Sequence, residues 1–206
     1  MSARNDVLGR VRQALVDIPL DDPGSARRAP VRGQAVDDLV GLFTERVDDY
    51  RANVLRCPAG TVASAVADLF AAGSRVVVPD GIPPDLLPNG VDLIRDDPAA
   101  PLPNAVLDGL DAVITICAVG IATTGTVVLD HGAGQGRRAL TLVPDIHVCL
   151  IRADQIVADV PDAIARLDPA RVQTWISGPS ATSDIELSRV EGVHGPRTLH
   201  VIVIDA

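Results

Sequence analysis

The sequence predicts a three-layer α/β/α domain on a mostly parallel sheet, preceded by N-terminal helices. Three observations carry that reading. From residue 53 onward, short β-branched runs alternate with helical stretches over about 150 residues, the rhythm of an α/β domain. The run Arg75–Pro79 is apolar almost throughout, as a strand buried on both faces must be. Aromatic residues make up only 2% of the 206, so the core is left to Val, Leu, Ile and Ala.

The elements follow in order. Val7, Leu8, Val11, Leu15 and Ile18 fall on one 3.6-residue face, which predicts a helix ending at Pro19. Residues 19–34 are rich in Pro, Gly and charge and read as a mobile linker. Val36, Leu39, Val40, Phe43, Val47 and Tyr50 form the stripe of a second helix, which could pack on the main domain or on a neighbouring subunit. These parts, residues 1–52, precede a domain expected over 53–206.

There, residues 54–57 are a strand, Thr61 a plausible N-cap, and Val62, Val66, Leu69 and Phe70 a helix face stopped by Gly73. With Arg75–Pro79 next, this strand–helix–strand unit predicts a parallel pair. Further strands are expected at 91–94, 111–117, 125–129, 147–151, 172–176 and 200–204, with a helical turn at 105–107 and a helix at about 154–167.

Composition removes several function classes. A net charge of −9 and few aromatics argue against a nucleic-acid binder. Every cation is Arg, so lysine Schiff-base chemistry and a P-loop lysine are excluded. Cys57, Cys117 and Cys149 form no CxxC pair, which argues against a disulfide framework and against an iron–sulfur cluster or metal bound by this chain. With neither a signal-type apolar segment at the start nor a bilayer-length apolar run, the expectation is a cytoplasmic protein without a membrane span.

Three stretches could bind a ligand. His131-Gly-Ala-Gly-Gln-Gly-Arg137-Arg138 joins a glycine turn to two guanidinium groups, a combination suited to phosphate or carboxylate. It matches neither the dinucleotide fingerprint nor a P-loop, and an exposed loop is the plain alternative. Ser177-Gly178-Pro179-Ser180 follows a strand, where α/β folds place ligands, but Ser180 lacks the closing glycine of a nucleophile elbow. Asp184 and Glu186 share a face only in a strand, where they could act as an acid/base pair; Ser183 with Glu186 also fits a capping box. His194-Gly195-Pro196-Arg197 could clamp a carboxylate or be a simple turn. His147 and Cys149 share one strand face without further zinc ligands, which favours packing.

The segments Gly120–Leu129, Arg138–His147, Ile176–Glu186 and Gly192–Arg197, in that order, resemble the lactate-utilisation protein C family, the LUD domain. The likeness covers about residues 50–206. Members often read Ile-Ala-Glu-Thr-Gly-Thr where this chain has Thr123 for the Glu, so an acid/base role is not carried to that position. The resemblance implies a fold like the ribose-phosphate-isomerase/CoA-transferase-like group. It also implies a role in oxidising L-lactate to pyruvate, as the cluster-free component beside partner subunits that hold iron–sulfur clusters. The expected pocket for a small carboxylate or phosphate comprises Thr124, Gly125, Thr126, Arg137, Arg138, the 177–180 loop, Asp184, Glu186, His194, Gly195 and Arg197. The alternative is a free-standing enzyme acting on a phosphorylated or CoA-linked small molecule.

Overall fold

A computed structural model describes residues 3–14, 16, 38–179, 181–182, 190–191 and 195–205. The expected linker at 19–34 lies outside them, as do Ser180, Asp184, Glu186 and His194. The chain divides into two units, Met1–Arg32 and Gly33–Ala206. The first contains helix α1 (Ala3–Ala14), where Asp6 and Arg10 pair one turn apart.

In the second unit the strands are β1 (Asn53–Pro58), β2 (Arg75–Pro79), β3 (Asp92–Asp96), β4 (Ala112–Ile116), β5 (Val119–Ile121), β6 (Thr126–Leu129), β7 (Ile146–Arg152), β8 (Ile156–Val157), β9 (Thr174–Ile176), β10 (Ala181–Thr182), β11 (Val190–Glu191) and β12 (Thr198–Asp205). Six of them form one sheet in the order β1-β12-β7-β4-β2-β3, and every pairing in it is parallel. The central strands are buried on both faces, which is why Val76-Val77-Val78 and Val148 to Ile151 are uninterrupted apolar runs. Alternate residues feed opposite cores. Val76, Val78, Ile114, Val148 and Leu150 meet Val62 and Val66 of helix α3 (Val62–Ala67). On the other side, Cys149, Ile151, Val201 and Val203 pack with Phe43 and Val47 of helix α2 (Leu39–Asp49).

The second helix packs on the main domain. Asp38 caps α2 by accepting from the Gly41 amide at 2.7 Å, and Phe43 is fully buried, so the helix belongs to the core of this unit.

Two expectations need correction. β1 and β2, joined through α3, are not neighbours: β12, β7 and β4 lie between them. The C-terminal strand, apolar along Val201–Ile204, pairs in register with both β1 and β7, so it takes the place beside β1. The expected helical turn at 105–107 is α4 (Asn104–Leu107), but the expected helix at 154–167 is instead a 3-10 turn at Ala153–Gln155, then β8, then a short helix α5 (Val160–Arg166). Asp159 accepts from the Val160 amide and a proline occupies the first turn, so the helix starts only there.

The fold class stands, with one addition. β6 and β9, which read as members of the parallel sheet, belong to a second sheet ordered β8-β5-β6-β9. In it β6 is antiparallel to both β5 and β9. Leu129, Val127 and Ile176 cover the α2 side of the main sheet.

Candidate functional site

The predicted site residues that the structure describes divide between two cavities, a packing seam and, for Arg197, an exposed position. The first cavity, about 250 Å³, lies beside the amino ends of β7 and β12 and the carboxyl end of β9. Arg138, Ser177, Gly178, Pro179 and Gly195 line it together. His147, Thr141, Trp175 and Leu199 complete its wall and were not among the sequence candidates for ligand contact.

Arg138 opens a 3-10 turn (Arg138–Thr141) between β6 and β7. Its Nη1 donates to the Thr141 carbonyl at 2.9 Å and to the Thr141 hydroxyl at 2.8 Å, which fixes the guanidinium plane. Among the described residues no carboxylate pairs with it, and Nε and Nη2 have no acceptor. Burial lowers the Arg138 pKa from its ordinary value, because the charge is partly withdrawn from water. A cation so placed, with one free guanidinium edge, is suited to bind a carboxylate through two parallel hydrogen bonds.

His147 stands on the wall of the same cavity at only 1% exposure. Its Nε2 lies 2.8 Å from the Thr115 hydroxyl of the neighbouring strand β4. Burial, reinforced by the Arg138 charge, pushes its pKa down to about 3, so the imidazole is neutral. The sequence signal was present: His147 and Thr115 are polar residues in otherwise apolar central strands.

Thr124 and Thr126 join this site indirectly. Their hydroxyls are 2.7 Å apart, and the Thr126 hydroxyl is 2.7 Å from that of Ser177. Gly125, between them, has φ +57, and a Cβ there would come within 2.6 Å of the Arg46 backbone. The turn therefore serves as the seam against α2, which only glycine permits. Gly178 (φ +80) makes a similar close approach to Tyr50. Thr123 donates from its hydroxyl to Asp159 at 3.2 Å, next to α5.

The second cavity, about 490 Å³, lies where β2 and β3 end and includes the glycine loop. Here Arg137 does not serve as a free anion fork. Its Nε and Nη2 both donate to the Asp96 carboxylate at 3.0 Å, and Nη2 also donates to the Leu102 carbonyl at 2.6 Å. The loop amides are also engaged: Gly134 donates to Asp80 at 2.7 Å, Gly132 to the Asp130 carboxylate at 3.1 Å, and Gln135 to Gly132 at 3.1 Å. The glycines fold the loop over the ends of β2 and β4 and leave no amide cradle formed by these three groups. Arg197 lies apart, exposed, with Asp145 at 3.6 Å.

Cys117 and Cys149 meet in the core, and their mutual contact and burial raise the Cys117 pKa well above its ordinary value. Among the described residues no group of three or more His, Cys, Asp or Glu could hold a metal ion, and no helix is long and apolar enough to cross a membrane.

Residues 105–204 match the LUD domain. The chain is 50% identical to "Lactate utilization protein C" of Deinococcus radiodurans over 171 residues, 81% of this chain and 80% of that one. Its match to "Lactate utilization protein C" of Shouchella clausii is 34% identical and covers 46% of this chain and 44% of that one. A crystal structure of a DUF162 family protein from Deinococcus radiodurans superposes with a TM-score of 0.69 at 44% identity, covering 81% of this chain and 96% of that one.

Proposed function

The chain belongs to the lactate utilization protein C family of LUD-domain proteins, and from that premise we propose that it is a cytoplasmic subunit or accessory protein of a system oxidising L-lactate to pyruvate. In this reading it supplies a small-anion site, and iron–sulfur clusters reside in partner subunits. The observation that carries the proposal is the guanidinium edge of Arg138, without an acceptor among the described residues, in a cavity of about 250 Å³. A single cation beside a neutral imidazole suits a small monocarboxylate better than a phosphate dianion, and the cavity is small for a CoA thioester. The cluster-free assignment is supported by the cysteines: Cys57 packs in one core and Cys117 and Cys149 in the other, on opposite faces of the sheet.

The test is growth on L-lactate of a strain whose chromosomal copy is replaced. Arg138→Gln should abolish growth while Arg197→Gln preserves it. The tagged wild-type chain from lactate-grown cells should bring down iron-containing proteins. Wild-type growth of the Arg138→Gln strain would refute the site, and an iron-free pull-down would refute the partnership.

A further inference from the structure

The hydrogen-bond inventory around His147 points to the oxidation state of the ligand. Thr115 is fully buried in β4, and its hydroxyl has one hydrogen-bond partner among the described residues, Nε2 of His147 at 2.8 Å. A neutral imidazole has one protonated and one bare nitrogen. Were Nε2 protonated, it would donate to the hydroxyl oxygen and leave the hydroxyl proton without an acceptor in a dry interior, an unfavourable arrangement. The Thr115 hydroxyl therefore donates to Nε2, and the imidazole proton sits on Nδ1. Nδ1 has no partner among the described residues, where no buried side-chain nitrogen is left unsatisfied, so it reaches the cavity that His147 lines. The pocket thus offers a ligand two kinds of donor: the Arg138 edge and the Nδ1–H of His147.

We propose that the Arg138–His147 cavity selects a short 2-oxo monocarboxylate over its 2-hydroxy counterpart, with Arg138 taking the carboxylate and Nδ1–H of His147 donating to the 2-oxo oxygen. The proposal rests on the reading of the cavity as a small-carboxylate site and deepens it. A keto oxygen is purely an acceptor and answers Nδ1–H fully. A 2-hydroxyl can accept the same bond but brings a proton that neither Arg138 nor this tautomer of His147 can accept, and the hydroxyls of Thr141 and Ser177 on the same wall are already engaged by Arg138 and Thr126. The site then holds the oxidised product of the proposed system, and Thr115 is the positioning residue that sets the preference through the His147 tautomer.

Isothermal titration of the purified full chain with pyruvate, L-lactate and propionate, which lacks the 2-oxygen, tests this. Pyruvate should bind on the order of tenfold more tightly than either of the others, a difference set by one additional hydrogen bond over propionate and by the poorly answered hydroxyl proton of lactate. Thr115→Val should bring the pyruvate-to-lactate ratio toward one, and Thr115→Ser, which retains the hydroxyl, should restore it. A merely structural role for Thr115 would shift all three affinities together. Lactate binding as tightly as pyruvate, or propionate matching both, with Arg138→Gln still abolishing binding, would overturn the 2-oxo preference and leave the carboxylate site standing. No heat from any of the three would overturn the site as well.

Discussion

Arg137 and Arg138 are neighbours in sequence with opposite surroundings, and removing each should have opposite consequences. Asp96 is 4% exposed and accepts three hydrogen bonds: two from Arg137 at 3.0 Å and one from the Leu102 amide at 2.9 Å. Arg137→Ala removes the only cation paired with that carboxylate among the described residues, and also the bond to the Leu102 carbonyl. Breaking a buried pair by deleting one partner costs about 3–5 kcal/mol, because the surviving charge stays buried without compensation. The Arg137 side chain is 35% exposed, so water can reach part of the gap, and the expected loss falls to about 2–4 kcal/mol. In a domain of this size that lowers Tm by roughly 5–15 °C. Arg138→Gln, which gives up only the bonds to Thr141 and removes a half-buried charge with no carboxylate partner among the described residues, should stay within about 1 kcal/mol of wild type. Urea unfolding followed by circular dichroism measures both. In a double-mutant cycle, Asp96→Asn should make Arg137→Ala much less costly. An undisturbed Arg137→Ala beside a strongly destabilised Arg138→Gln would show that the two roles had been exchanged.

Three more outcomes are expected. Gly125→Ala should destabilise the unit by at least about 2 kcal/mol in urea, since the turn needs φ +57 and a Cβ meets the Arg46 backbone; a neutral result would refute close packing of this turn on α2. Phe43→Ala should cost about 3–5 kcal/mol, and a loss near zero would show that α2 is not part of the core. The depressed His147 pKa, about 3 against 6.5, predicts a pH slope. The unfolded chain takes up a proton as pH falls through 6.5 while the folded chain resists until about 3, so stability present at neutral pH declines by about 1.4 kcal/mol per unit inside that window. Urea midpoints from pH 7 to 4 should fall less steeply in His147→Gln, and parallel slopes would refute the assignment.

What the sequence revealed about the fold depended on burial on both faces. β2, β4, β7 and β12 are central strands whose apolar runs read without ambiguity. β6 is equally buried, at all four of its positions, yet it belongs to a different and antiparallel pairing, because burial records how much of a strand is covered and not by which partner. β5 and β8, at three and two residues, are too short for any periodicity to register.

The candidate site shows the same limit at the level of single side chains. Composition marked both arginines after the glycine loop as anion ligands, and nothing local separates them. Arg137 is extended at φ −82, ψ 156, whereas Arg138 already begins the 3-10 turn, so the two guanidinium groups leave the chain toward different cavities. Arg137 then meets Asp96, which lies 41 residues earlier at the end of β3, and its fork is filled from within. Arg138 meets Thr141, a neutral partner three residues on, and its Nε and Nη2 have no acceptor among the described residues. Whether an arginine's fork is filled from within is decided here by which strand end delivers a carboxylate, a property of the sheet order. His147 follows the same logic in reverse: a strand histidine beside a cysteine reads as packing, and it becomes a candidate ligand contact only because the turn after β6 brings Arg138 to it and β4 brings Thr115.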